Sequence, residues 1–348
     1  VPLRRWILVI ASFAGAVAVA LYVIAAHWPE SGVQLGLPWW LHVAAAAVVA
    51  VELFFRGAKI TLAARACGIE LRPGTAVRAT LCGDFLDAIT PARLGAEPAR
   101  FLVLTEARVP VGNALLILFL ELWLEFLGLV AIAAVLILLA PASQGLAAVL
   151  LTVGGYGAFV VCLGILAWLF ARGHGRSEPP IWARYLGIGR RGWSRLVRLA
   201  LHLHHGIVAF RAARPAPMAL ALGCSVLHIL ARLAVLPLLV LPQARNLALA
   251  PLVLWPLALL YAGAITPIPS GGGLMELGFH LSLGSTIPEQ LMAGSLIWWR
   301  FYSFYAYVAL GALAAGRTAM RALASMSGGS PQGFRAAMDT RIAADEPH

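Results

Sequence analysis

The sequence predicts an all-helical polytopic membrane protein: about seven transmembrane helices and two oppositely oriented re-entrant hairpins, arranged as an inverted repeat. Three observations predict it. Hydrophobic residues make up 61% and charged residues 12%, with several apolar runs near the ~20 residues that cross a bilayer. The cations fall on alternate connections. The tetrapeptide Ala-Ile-Thr-Pro occurs twice, at Ala88 to Pro91 and Ala264 to Pro267, half a chain apart, each time interrupting an apolar stretch and followed by glycine and then glutamate.

Taken in order, the apolar runs are Trp6 to Ala26, Trp39 to Phe55, Val111 to Leu139, Gly145 to Ala171, Pro217 to Leu241, Leu247 to Thr266 and Gln290 to Ala315. The first is too long for a signal-peptide core and reads as an anchor. Lys59 is the single lysine beside 25 arginines. Arg4 and Arg5 precede the first run, Arg56, Lys59, Arg65, Arg72 and Arg78 follow the second, nine arginines lie between Arg172 and Arg214, and Arg317, Arg321, Arg335 and Arg341 close the chain. By the positive-inside rule these segments and both termini are cytoplasmic, and the connections near Glu30, Pro141 and Gln243 face outward.

This orientation makes 75–107 enter and leave from the cytoplasm, whereas 247–286 opens from outside. Three spans separate the two hairpins, and an odd number is what an inverted repeat requires. The repeat halves are about 1–145 and 146–320, forming one transmembrane domain over 1–320, with a flexible cytoplasmic tail over 321–348.

Several chemistries have no signature. No glycine-rich loop precedes Lys59, so the sequence offers no Walker-type nucleotide site. Cys67, Cys82, Cys162 and Cys224 show no paired spacing, and His202, His204 and His205 are not at the i, i+4 spacing of a helical metal site, so no metal, disulfide or cofactor is expected. Nucleic acid is not an expected partner. No nucleophile, base and orienter stand together, so the chain is not expected to be an enzyme.

Proline and glycine at membrane depth free backbone groups that only protein or a wet cavity can satisfy. A new helix is expected after each break, with Glu97 as cap and Pro98 as first residue in one case, and a start near Gly272 in the other. The exposed N–H groups of such ends, beside the Gly271-Gly272-Gly273 turn, suit phosphate. The alternative, that these glycines serve only tight packing and the prolines only end helices, stays open.

Charges within apolar runs are functional candidates by default. The breaks bring forward Pro91, Arg93, Glu97, Arg100, Pro267, Gly271, Gly272, Gly273 and Glu276, with Arg300 on the last run, as substrate-binding candidates. Asp84 and Asp87 on the inbound arm of the first hairpin, the pair Glu121 and Glu125, and the pair His228 and Arg232 are secondary candidates. For the two pairs a structural bridge between spans is the competing reading. Glu52 and Arg56 read as an i, i+4 pair at a membrane boundary without a functional role. Over 191–210 the polar positions Arg191, Arg195, Arg198, His202 and His205 recur at helical spacing, giving a cytoplasmic amphipathic helix whose arginines would meet anionic headgroups at the membrane surface. Positive-inside anchoring alone is the alternative there.

The run Thr90-Pro91-Ala92-Arg93-Leu94-Gly95-Ala96-Glu97-Pro98-Ala99-Arg100, the run Thr266-Pro267-Ile268-Pro269-Ser270-Gly271-Gly272 with Glu276, and the late Trp299-Arg300-Phe301-Tyr302-Ser303-Phe304 resemble the lysylphosphatidylglycerol synthase transmembrane-region family, which includes the flippase half of the multiple peptide resistance factor. The resemblance spans nearly the whole chain. It implies a bacterial or archaeal inner-membrane protein that moves lipids between leaflets, with Arg93, Glu97, Arg100, Glu276 and Arg300 along the lipid path. Where the family pattern runs Pro-Gly-Gly-Leu-Gly this chain has Pro269-Ser270-Gly271-Gly272-Gly273, and no soluble aminoacyl-transferase half is seen, so synthesis of lysyl-lipid is not expected.

The resulting expectation is a flippase or scramblase that passes a polar, phosphate-bearing lipid through an Arg/Glu-lined groove. Its partners would be anionic phospholipid or a polar isoprenoid or glycolipid, with a second copy of the chain or a lipid synthase as protein partner. The alternatives are an accessory lipid-binding protein that recruits a lipid-modifying synthase, and an ion-coupled channel or exchanger.

Overall fold

The computed structural model describes residues 36–90, 95–139, 145–172, 214–244, 246–262 and 273–314, with a few isolated positions elsewhere. Among these residues every regular element is helical. The long helices are α1 (Trp39–Ala66), α4 (Val111–Leu139), α5 (Leu146–Arg172) and α6 (Pro215–Val240). The short ones are α2 (Pro73–Ile89), α3 (Ala96–Glu106), α7 (Leu249–Ala262), α8 (Leu274–Leu283) and α9 (Glu289–Arg300). A π-helical turn, Phe301–Tyr305, carries α9 on into a final helical stretch, 306–314.

Four described helices are long and apolar enough to cross a membrane, and in each only 28–39% of the most apolar window is buried. The remaining side chains face outward as lipid-compatible surface: Leu138 is 80% exposed, Leu151 78% and Leu313 82%. Such a surface is stable only in hydrocarbon, and the chain is a multi-pass membrane protein. Of the expected run from Leu247 to Thr266, the described part holds the 14-residue α7, which runs to Ala262, and 263–266 lie outside the described residues. The run from Trp6 lies outside the described residues apart from Tyr22 and Ala25.

The second apolar run ends later than the sequence suggests. Arg56 and Lys59 read as the start of a cytoplasmic loop, yet α1 continues without a break to Ala66, and both charges are buried within it. Gly68 then turns the chain at φ 75°, with the amide of Ile69 donating to Ala64 O, a left-handed helix end that glycine adopts freely. Pro73 opens α2, where its missing N–H is no loss.

The order long helix, two short helices, long helix occurs twice, as α1–α2/α3–α4 and as α6–α7/α8–α9 with its continuation. The two leading helices, α1 and α6, make the most extensive interhelix contact of the described part. Apolar clusters lie to either side of the middle of α1. Ala45 and Val49 join Leu236, Phe279 and Trp299 on one side, and Ile60 and Ala64 join Ala76, Leu104 and Ile117 on the other. Between them α1 carries Glu52, Arg56 and Lys59.

Candidate functional site

Glu52, Arg56 and Lys59 stand at i, i+4 and i+7, one stripe of α1. On α6 the polar positions Ser225, His228 and Arg232 form a similar stripe, and on α4 Glu121 and Glu125 are one turn apart. Packing these faces together encloses a charged cluster in which Glu52 is 0%, Lys59 1% and His228 1% exposed. Close approach of α4 and α6 is sealed by Ser225 Oγ, which donates to Leu124 O at 2.7 Å.

The cluster has two lobes. In the first, Asp84 of α2 receives both terminal nitrogens of Arg56, at 2.7 and 2.9 Å. Arg100 of α3 lies 3.7 Å from the same carboxylate, 3.1 Å from Glu121 and 3.0 Å from Glu97. In the second lobe, Glu125 Oε2 is 2.6 Å from Lys59 Nζ and 2.8 Å from His228 Nε2, while the Tyr261 hydroxyl donates to Oε1. Glu52 joins the lobes, 3.7 Å from Arg56 and 3.7 Å from His228 Nδ1. Arg232 donates to Ser303 O at 3.2 Å, within the π-helical turn, and lies over the Tyr307 ring. An isolated charge at this depth costs several kcal/mol or more, so mutual neutralisation is the condition for the cluster to exist.

One threonine holds the first break. Thr90 Oγ1 donates to Leu86 O at 2.6 Å and accepts the Gly95 amide at 2.9 Å, so a single hydroxyl clasps the end of α2 to the start of α3. Pro91 cannot continue α2, which ends at Ile89. A Cβ at Gly95 would come within 2.7 Å of both Leu86 O and Thr90 Oγ1. The helix therefore restarts at Ala96, two residues before the expected Pro98. Glu97 is not the cap: it lies in the first turn, its side chain 43% exposed, and pairs with Arg100. A Cβ at Gly83 would lie 2.5 Å from Arg100 Nε, so α2 offers glycine where the guanidinium passes.

The start of α8 is built differently from that of α3. Gly273, at φ 78°, precedes α8, and its amide donates to Glu276 Oε2 at 2.7 Å. Glu276 Oε1 accepts Arg300 Nε at 2.9 Å, and the Arg300 guanidinium lies 4.9 Å from the centre of the Phe304 ring. The anion at this helix end is the protein's own carboxylate, 2% exposed, and this pair stands apart from the cluster around Glu52. Trp299, 0% exposed, packs on Phe279 inside the protein as a core residue.

The family model of the lysylphosphatidylglycerol synthase TM region matches residues 6–311 of the 348-residue chain. The chain belongs to this family. Among curated proteins no match to it is found.

In this lysylphosphatidylglycerol synthase TM-region protein, the candidates Asp84, Glu97, Arg100, Glu121, Glu125, His228 and Arg232 meet in or beside one cluster, Asp87 is half-buried one turn from it, and Glu276 pairs with Arg300. Gly273 is the cap of α8. Pro91, Arg93, Pro267, Gly271, Gly272, Arg191, Arg195 and Arg198 lie outside the described residues. Sequence reasoning passed over Glu52, Arg56 and Lys59 as a boundary pair and a loop cation, and did not single out Tyr261. The signal was present for the first three, since charges at i, i+4 and i+7 share a helix face, but a lipid-boundary pair shows the same spacing.

Proposed function

We propose that the chain moves a polar, phosphate-bearing lipid between membrane leaflets, as a flippase or scramblase, with the headgroup passing Arg100 while the tails stay in hydrocarbon. The observation that carries this reading is the place of Arg100. Its guanidinium is shared among Asp84, Glu97 and Glu121, and of these partners Glu97 has the most exposed side chain, at 43%. An arginine with one easily exchanged carboxylate partner can take a phosphate in its place, forming charge-assisted hydrogen bonds of the same geometry. A bare charged headgroup crossing hydrocarbon meets a barrier of several kcal/mol or more, and a chain of alternating charges lowers it.

Further support comes from an apolar groove of about 550 Å³ between α4 and α6, lined by Phe119, Leu120, Trp123, Leu124, Met218 and Leu222 among others. Leu120 and Leu124 directly precede Glu121 and Glu125, so a tail in this groove runs beside the charged faces. Within this reading α2/α3 and α7/α8 are the two re-entrant hairpins of an inverted repeat. Their helices, of 17, 11, 14 and 10 residues, are each shorter than the ~20 residues a span needs.

The test is lipid exchange in vesicles containing the purified chain and acyl-labelled phosphatidylglycerol, with an impermeant quencher added outside. The wild-type protein should expose label from both leaflets, and Arg100→Gln should slow this strongly. Exchange no faster than in protein-free vesicles would sink the reading.

A further inference from the structure

We propose that His228 is the proton-binding site of a proton-coupled lipid transporter. The proposal rests on the lipid-transport reading above, and its test separates the two.

His228 stands on α6 with a carboxylate at each ring nitrogen. Nε2 lies 2.8 Å from Glu125 Oε2, a contact that requires one proton between the two atoms. Nδ1 lies 3.7 Å from Glu52 Oε1. Neither of these atoms, nor Glu52 Oε2, has a hydrogen-bond partner among the described residues, although both side chains are at least nine-tenths buried. With one proton on the ring, held toward Glu125, Nδ1 turns a lone pair toward an anion. A second proton, taken from water by Nδ1, makes that nitrogen a donor facing a carboxylate, and a shift of about 1 Å closes the charge-assisted bond. Release returns the proton to water and restores the neutral ring.

The surroundings oppose and favour this proton together. Glu52 of α1 and Glu125 of α4 favour the imidazolium. Lys59 of α1, whose Nζ is 3.4 Å from Nε2, opposes it, as do Arg56 of α1 and Arg232 on the same helix as the ring. Tyr261 of α7 and Tyr307 of 306–314 contribute hydroxyls, and Glu121 of α4 is engaged by Arg100. Imidazole is the side chain built to take up and give back a second proton near neutrality, and here each ring nitrogen faces a carboxylate.

The second proton also reaches the lipid site. Glu52 is shared, 3.7 Å from His228 Nδ1 and 3.7 Å from Arg56. Drawing it to an imidazolium leaves Arg56 to Asp84, the same carboxylate that Arg100 approaches at 3.7 Å. Arg100 is then less held by Asp84 when His228 is charged.

The experiment uses the full chain in phosphatidylethanolamine and phosphatidylglycerol vesicles with a trapped pH dye and acyl-labelled phosphatidylglycerol. A gradient of one pH unit should drive the leaflet ratio of labelled lipid toward about tenfold for one proton per lipid, and lipid movement should change the trapped dye. In His228→Gln and in the size-conserving Glu52→Gln, each measured against its own exchange without a gradient, both responses should be lost. A wild-type response in His228→Gln, or wild-type exchange indifferent to the gradient, overturns the proposal. If the wild-type protein moves no lipid, the transport reading fails by itself. The proton site is then judged by nitrogen NMR of histidine-labelled protein: as the sample is acidified, the resonance missing from His228→Gln should pass from that of a singly to that of a doubly protonated ring, and Glu52→Gln should alter that response. A ring that keeps one protonation state as far as the protein stays folded overturns the site.

Discussion

Arg56 and Asp84 form a two-pronged ion pair, 2.7 and 2.9 Å, that fastens the long α1 to α2. Arg56 is 5% exposed and lies between two apolar clusters, so the pair is desolvated and depends on its geometry for stability. The same carboxylate faces Arg100 on α3. Asp84 thus ties α1, α2 and α3 together.

Removing one partner leaves the other as an uncompensated buried charge. Asp84→Leu or Arg56→Leu should each cost about 3–5 kcal/mol, whereas the double replacement should recover most of the loss. Thermal unfolding in detergent measures this, and equal loss in the single and double variants would show that the pair does not act as a unit.

Thr90 clasps the break through one hydroxyl. Thr90→Val keeps the shape and removes both hydrogen bonds, leaving the buried Gly95 amide without its acceptor, and should cost about 1–3 kcal/mol. Gly95→Ala should damage lipid exchange as well, because the added methyl meets Leu86 O and Thr90 Oγ1 and must displace α3, which carries Arg100. Unfolding and exchange that match wild type in both variants would mean that the break is set by Pro91 alone.

Glu97 and Glu276 follow the two breaks at similar distances but differ in burial. With its side chain 43% exposed, Glu97→Gln should change stability by less than about 1 kcal/mol while altering lipid exchange through Arg100. Glu276→Leu removes a buried partner of Arg300 and the acceptor of the Gly273 amide, and should cost about 3 kcal/mol or more. A reversed order of stability losses would contradict the assignment of Glu276 as a structural clamp.

Re-entrance is a statement about sides. In a variant with Cys67, Cys82, Cys162 and Cys224 replaced, new cysteines at the exposed positions Glu70 and Arg108 should react with a membrane-impermeant reagent from one face of the membrane. Those at Gly36, Asn246 and Ser285 should react from the other. Labelling of Glu70→Cys and Arg108→Cys from opposite faces would make α2 and α3 a crossing pair instead of a hairpin.

Hydropathy, the two breaks and the i, i+4 pairs were legible because they depend on neighbours along the chain. Lipid demands long apolar runs, proline ends helices wherever it stands, and residues one turn apart share a face whatever they later touch. From these the sequence determined an α-helical membrane protein with α4 starting at Val111 and ending at Leu139, a helix end at Thr90, and charged faces on α4 and α6. Its Gly-Pro pattern also located Arg100 and Glu276 as residues following a break.

Which charges meet was decided only in three dimensions. Arg56 and Lys59 look like the first cations of a loop, because a charge in an apolar run is costly and the chain alone does not show what neutralises it. Their partners Asp84 and Glu125 are 28 and 66 residues away, on helices brought alongside by packing of the faces of α1, α2 and α4. Packing likewise separated residues that the sequence treated alike: it gave Arg300 to Glu276 in a closed clamp, and gave Arg100 to a cluster with an exposed carboxylate. The reason is that the energy of a buried ion depends on the groups within a few ångströms of it, and sequence distance does not specify those groups.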